Sequence, residues 1–180
     1  MLGGQWCKHL LSVPSDPVLR DWLTETGSLT TRCQKACRHF RVRLVRYGKG
    51  RALADEQLLR ARFWVREVVL ECDGVPVIFA HTTLSTATGG RLSRWLAGLG
   101  SRSLGSLLFT YPGFRRGAIE YCRLDRRHPL FRRAASWLDD DVASLWARRS
   151  VHCLGGQQVL VTEVFLPAIR QLVSPPSPRR

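Results

Sequence analysis

Two charged residues stand where strand alternation puts large apolar side chains. In FWVREVVLEC (63–72) successive side chains of an extended strand point to opposite faces, so Trp64, Arg66, Val68, Leu70 and Cys72 share one face. The more apolar face therefore carries an arginine at its centre. In QQVLVTEVFLPA (157–168) Glu163 is the one charged residue and lies among Val159, Val161 and Phe165. An isolated ion in an apolar interior is costly even after relaxation, so both residues need partners. Two arrangements supply them. Arg66 and Glu163 can pair with each other, or both can face a cavity and hold opposite ends of a polar ligand. In the second case the planar guanidinium fork suits a carboxylate, and the glutamate accepts from a hydroxyl.

The other reactive residue types suggest less. The six cysteines (7, 33, 37, 72, 122 and 153) contain no CxxC pair, and no set of Cys and His has metal spacing, so reduced thiols and no metal are expected. His81 follows Val77 and Phe79 along a strand and reads as a core or sheet-surface residue. The 28 basic residues against 14 acidic ones give a net charge of +14, but 25 of the 28 are arginines spread along the whole chain. With no recognition helix and no aromatic-rich binding strand, nucleic acid is not the expected partner. Such a surface can steer small anions or touch an anionic membrane face. No apolar run approaches the roughly 20 residues that span a bilayer. The N-terminus also lacks the sustained apolar core, about 7–15 residues, of a signal peptide. A cytoplasmic protein is expected.

The elements that must position Arg66 and Glu163 follow from pattern. SDPVLRDWLTE (15–25) predicts a short amphipathic helix, and Ser28 can cap a second one in SLTTRCQKACRHF. FRVRLVRYG (40–48) alternates as a strand. Asp73-Gly74 turns a hairpin between 63–72 and 75–84, and Gly155-Gly156 turns another within 150–168. Residues 86–110 read as two helical pieces broken between Gly98 and Ser103, and 117–124 as a strand. The segment 125–146 is polar and helical at best. Six strands joined mainly by hairpins, with helices in blocks, predict an α+β fold in a single domain over residues 1–170. Residues 111–144 are expected to form a surface excursion, and 171–180 a disordered tail.

Four blocks carry a resemblance: DWLTETGSLTTR (21–32), RFWVREVVLECDGVPVIFAHTTL (62–84), LGSRSLGSLLFT (99–110) and LWARRSVHCLGGQQVLVTEVFLPA (145–168). In order and spacing they resemble the bacterial chorismate pyruvate-lyases (the UbiC family), and they cover 71 of the 180 residues. The resemblance implies a six-stranded antiparallel sheet with helices on one side and an enclosed site. It implies conversion of chorismate to 4-hydroxybenzoate and pyruvate, the entry to the ubiquinone ring, by a monomer without a cofactor. It assigns Arg66, in the WxRE motif, to the ring carboxylate, helped by the backbone amides of Leu29 and Leu104. Leu29 stands where the family pattern has Met, a swap that a backbone donor survives. Glu163, in TE-x-FLPA, meets the hydroxyl end as an orienter first and a base second. The second carboxylate of chorismate needs a further cation, for which the RRS motif suggests Arg149, with Arg102 as second choice. A flap from 28–36 and 86–105, hinged at Gly98, Gly100 and Gly105, would gate product release. The rival reading is a non-catalytic effector-binding domain of the same fold, as in certain transcription regulators. Only some 40 residues precede the first strand here, too few for their DNA-binding domain.

Overall fold

The computed structural model describes residues 5–8, 14–51, 53–56, 63–85, 94, 98–104, 113, 115–154 and 157–172. Helix α1 (Pro17–Thr24) starts with proline in its first turn, and the Asp16 carboxylate accepts from the amides of Val18 and Leu19. Helix α2 (Leu29–Ala36) is capped by Ser28, whose hydroxyl accepts from Thr31 N. Among the described residues seven strands follow: β1 (Phe40–Gly50), β2 (Phe63–Cys72), β3 (Val75–Ser85), β4 (Arg115–Arg116), β5 (Glu120–Asp125), β6 (Ser144–Leu154) and β7 (Gln157–Phe165). Helix α3 (Pro129–Ala135) lies between β5 and β6, and a 3-10 turn (Pro167–Gln171) follows β7. At the β2–β3 turn Asp73 and Gly74 have φ of 51° and 83°, as a tight two-residue hairpin turn requires. The Asp73 carboxylate accepts from the amides of Arg38 and His39, tying the hairpin to the chain entering β1.

All pairings are antiparallel, in the order β1-β2-β3-β7-β6, with β4 and β5 both lying along the outer edge of β6. The sheet is thus six positions wide, the sixth filled by two short strands in succession. The expected α+β fold and its six strands are present, and β4 is an addition. Two expectations are corrected. Strand β6 begins at Ser144, inside the stretch read as helical at best, because Leu145 and Ala147 alternate with Trp146 and Arg148 across two covered faces. Residues 115–144 are no surface excursion either, since Cys122, Leu124, Leu130, Phe131 and Ala134 are buried in a core.

The sheet separates two cores. On its front face Val68, Leu70, Ile78 and Phe165 pack against Leu19, Trp22 and Leu23 of α1 and Leu29 and Cys33 of α2. On its back face Val69, Phe79, Ala147 and Val164 pack against α3. Helices therefore cover both faces, where the resemblance led to one. No helix among the described residues is long and apolar enough to cross a membrane. Most of 86–110, including Gly105, and the tail from 173 lie outside the described residues.

Candidate active site

A cavity of about 580 Å³, counting its mouth, opens on the front face. Its floor is set by strand register. One row runs Arg66, Thr82, Val161, Ser150 across β2, β3, β7 and β6, and the next runs Val68, Ala80, Glu163, Arg148. Leu29 and Thr30 of α2, together with Ser103 and Leu104, line the wall opposite, and Arg116 enters from β4.

Arg66 is 4% exposed, and burial pulls its pKa down to about 10. Its Nη2 donates to the carbonyls of Gly100 (3.0 Å) and Arg102 (2.7 Å), while its buried Nε has no hydrogen-bond partner. No carboxylate among the described residues pairs with it. The arrangement in which Arg66 and Glu163 neutralise each other is therefore not the one adopted. Glu163 Oε2 accepts from Arg148 Nε at 2.7 Å, and Arg148, 1% exposed, also donates to the carbonyls of Leu23 (3.2 Å) and Glu25.

The two backbone positions singled out in the sequence are brought together. Leu29 is the first residue of α2, so its amide is among the donors that a helix start leaves without an intrahelical acceptor. Next to it, Thr30 Oγ1 meets Ser103 Oγ at 2.6 Å, which locks the helix start to the segment carrying Leu104. At the other end of the cavity Arg116 donates from Nε to Ser150 Oγ (3.1 Å) and from Nη1 to the Thr26 carbonyl (2.8 Å). Ser150 Oγ lies 3.1 Å from His152 Nε2. Burial, then the charges of Arg116 and Arg148, push His152 down to about 4, so it is neutral near pH 7. Burial, then Arg148, also lowers Arg116. Among the described residues the lining thus carries three guanidiniums, one carboxylate and a neutral imidazole, a net charge of +2.

A family model described as chorismate lyase matches residues 6–173. The chain belongs to the chorismate lyase family. It is 68% identical over 96% of its length to a probable chorismate pyruvate-lyase of Dechloromonas aromatica, covering 99% of that protein. It is 43% identical over 93% of its length to one of Nitrosomonas europaea, covering 96% of it. Two solved structures share its fold at low identity. The C-terminal domain of the histidine utilization repressor from Pseudomonas syringae pv. tomato has a TM-score of 0.53 at 11% identity, covering 77% of this chain and 99% of that one. The effector domain of PhnF from Mycobacterium smegmatis has a TM-score of 0.53 at 17% identity, covering 79% and 90%.

Within this chorismate lyase fold Arg66, Glu163, Leu29 and Leu104 all border one cavity. Arg149 does not. Its neighbour Arg148 faces front, so alternation turns Arg149 to the back. There its Nε donates to Glu120 (2.8 Å), its Nη1 to the Asp55 carbonyl (3.1 Å), and its guanidinium lies 4.3 Å from the Trp6 ring centre. Arg102 has an exposed side chain, and what it gives the site is its carbonyl, bonded to Arg66. The cavity residues missed from sequence are Arg148, Arg116, Ser150 and His152. For three of them a signal existed. The hairpin expected from Gly155-Gly156 pairs Leu154 with Gln157, and counting outward sets Arg148 against Glu163, with Ser150 and His152 on the same face.

Proposed function

We propose that this chain is a chorismate pyruvate-lyase, which converts chorismate to 4-hydroxybenzoate and pyruvate. The observation that carries this reading is Arg66: a buried guanidinium with no carboxylate partner among the described residues and an unbonded Nε, bordering a cavity whose described lining has a net charge of +2. Chorismate carries two carboxylates, and the names of the relatives support the same substrate.

In this reading Arg66 and the amides of Leu29 and Leu104 hold the ring carboxylate. Glu163 accepts from the ring hydroxyl at C4. Its Oε2 is taken by Arg148, which leaves Oε1 for the substrate. The reaction breaks the bond from C3 to the ether oxygen, and the electron pair leaves with the enol oxygen. The hydrogen on C4 departs as a proton, and its bonding pair completes the aromatic ring. A proton delivered to the methylene carbon of the released enolpyruvate gives pyruvate. This elimination is redox-neutral and asks for no hydride carrier. Protein groups contribute by fixing the diene in one conformation, excluding water and favouring charge on the leaving oxygen. Glu163 orients the hydroxyl beside the reacting C3–C4 bond. We further propose that the chain works as a cytoplasmic monomer and feeds ubiquinone ring synthesis.

The fold neighbours from transcription regulators motivate the second reading, an effector-binding domain that holds a ligand without turning it over. Incubation with chorismate separates the two. Equimolar 4-hydroxybenzoate and pyruvate are expected, and chorismate bound but recovered intact would favour the effector reading. Arg66→Ala is expected to lower kcat/KM by about 10²–10³-fold, the usual effect of removing one member of a buried charge pair. The melting temperature should stay close to the parent's, since Arg66 has no internal counter-ion to abandon.

A further inference from the structure

We propose that the free edge of strand β1 docks on the surface of an anionic lipid bilayer. Neither the chemistry of the cavity nor the lyase reading enters into it.

Charge is unbalanced in this part of the chain. Between Glu25 and Asp55 the sequence has eight Arg and Lys and no acidic residue. Two of the eight are engaged internally, Arg32 with Asp21 and Glu25, and Arg43 with Glu71 at 2.7 Å. The other six, Lys35, Arg38, Arg41, Arg46, Lys49 and Arg51, are exposed and pair with no carboxylate among the described residues. The acids opposite β1 on β2 do not offset them, because Glu67 and Glu71 are buried and already bonded to Arg133 and Arg43.

The fold sets these charges along one line. Strand β1 ends the sheet, and its outer edge carries no strand among the described residues. Its 11 residues run about 35 Å. Arg41 and Arg46 stand on the back face and Lys49 on the front, so long basic side chains can reach past the edge from both sides. At mid-strand the register slips between Leu44 and Arg46, which leaves Val45 with no residue opposite it on β2. Leu44 and Val45 are 41% and 42% exposed, two of the four exposed large apolar side chains among the described residues. The edge therefore has an apolar centre flanked by unpaired cations.

That combination selects the occupant. A second copy pairing along this edge would set Arg and Lys against Arg and Lys, and the bulge breaks the ladder it would need. Duplex nucleic acid offers phosphates to the cations but no apolar layer for Leu44 and Val45. An edge protected only against aggregation would carry polar residues at 44 and 45. A bilayer supplies both partners, anionic headgroups for the basic side chains and acyl chains just beneath for the two aliphatic ones. Each basic residue near such a surface strengthens binding about fivefold, so the edge makes a reversible, salt-sensitive attachment.

Co-sedimentation of the full chain with sucrose-loaded vesicles tests this. Vesicles of phosphatidylglycerol and phosphatidylcholine in equal parts should bind it, and vesicles of phosphatidylcholine alone at least about tenfold more weakly. Raising the ionic strength from about 0.1 M to about 1 M shortens the screening length from about 10 Å to about 3 Å and should release most of the protein. Arg41→Gln with Arg46→Gln should weaken binding to anionic vesicles about 25-fold, and Leu44→Thr with Val45→Thr about fivefold. Arg123→Gln with Arg127→Gln removes the same charge from exposed positions on and just after β5, five strand spacings or about 24 Å across the sheet. Binding should then change less than about threefold. Circular dichroism and melting show whether each variant folds, and Lys49→Gln with Arg51→Gln replaces the arginine pair of β1 if it does not. An equal loss from the Arg123 and Arg127 changes would overturn the proposal, since binding would then belong to the diffuse charge of the chain. Parent-like binding in the β1 variants or equal binding to neutral vesicles would overturn it as well. So would tighter binding to duplex DNA than to anionic vesicles at the same ionic strength, or a dimer that the Leu44 and Val45 changes dissociate.

Discussion

His152 shows how the charges of the site reach beyond the ligand. Burial beside Arg116 and Arg148 holds it near 4, against an ordinary value of 6.5. Below pH 6.5 the unfolded chain therefore takes up a proton that the folded chain refuses. Stability is whole above that point and is lost as pH falls towards 4, by about 3 kcal/mol in all. In His152→Gln the midpoint of urea unfolding should change much less with pH between 6.5 and 4 than in the parent. An equally steep acid loss in the variant would assign the slope to other groups. His152 also marks the limit of what sequence can reveal at this scale. Hairpin counting reaches Arg148, Ser150 and His152, because a strict alternation and a two-residue turn leave no freedom. Arg116 sits on a two-residue strand whose partner is set by tertiary packing, and no local pattern announces it.

At the scale of elements, the site depends on where α2 begins. Its first residue, Leu29, borders the cavity, and its second, Thr30, bonds to Ser103. The Ser28 hydroxyl fixes that start by accepting from Thr31 N at 3.3 Å. Replacing Ser28 by alanine removes the cap and should cost about 1 kcal/mol of stability. Because the same turn presents the Leu29 amide, KM for chorismate should rise several-fold while kcat changes little. A stability loss with unchanged KM would mean that the Thr30–Ser103 contact alone holds the turn. This helix was legible from Gly27-Ser28 and the residues after it, as were α1 and both hairpins, since each has a cap or turn residue with a physical job. Strand β6 was not legible over its first half. There Arg148 and Arg149 break the apolar pattern on both faces, and each finds its partner on a different element.

For the molecule as a whole, the sheet sorts its buried charges into two sets with different work. On the front face Arg66 has no carboxylate partner among the described residues, and the cavity keeps a net charge. On the back face the charges are matched. His81 Nδ1 lies 2.8 Å from Glu67 Oε1, Glu67 also meets Arg133, and His81 Nε2 lies 3.4 Å from Glu56 Oε1. That last pair is too poorly aligned for a hydrogen bond but close enough for charge to act. Burial opposes a proton on His81, yet the nearby carboxylates of Glu56 and Glu67 outweigh it and raise its pKa. The sign is opposite to that of His152. Stability from His81 is fully present below pH 6.5 and is lost as pH rises through the raised folded value. The two histidines together should place the stability maximum near neutrality, one limiting each side. His81→Gln leaves two buried carboxylates short of a cation and should cost about 3–5 kcal/mol near pH 6. Its unfolding midpoint should then be nearly flat from pH 6.5 to 9, where the parent's declines. Measured below its melting temperature, the variant should keep kcat/KM for chorismate within about threefold, because the sheet lies between His81 and the cavity. A large fall in kcat/KM without loss of stability would show instead that the back-face charges act on the substrate through the sheet.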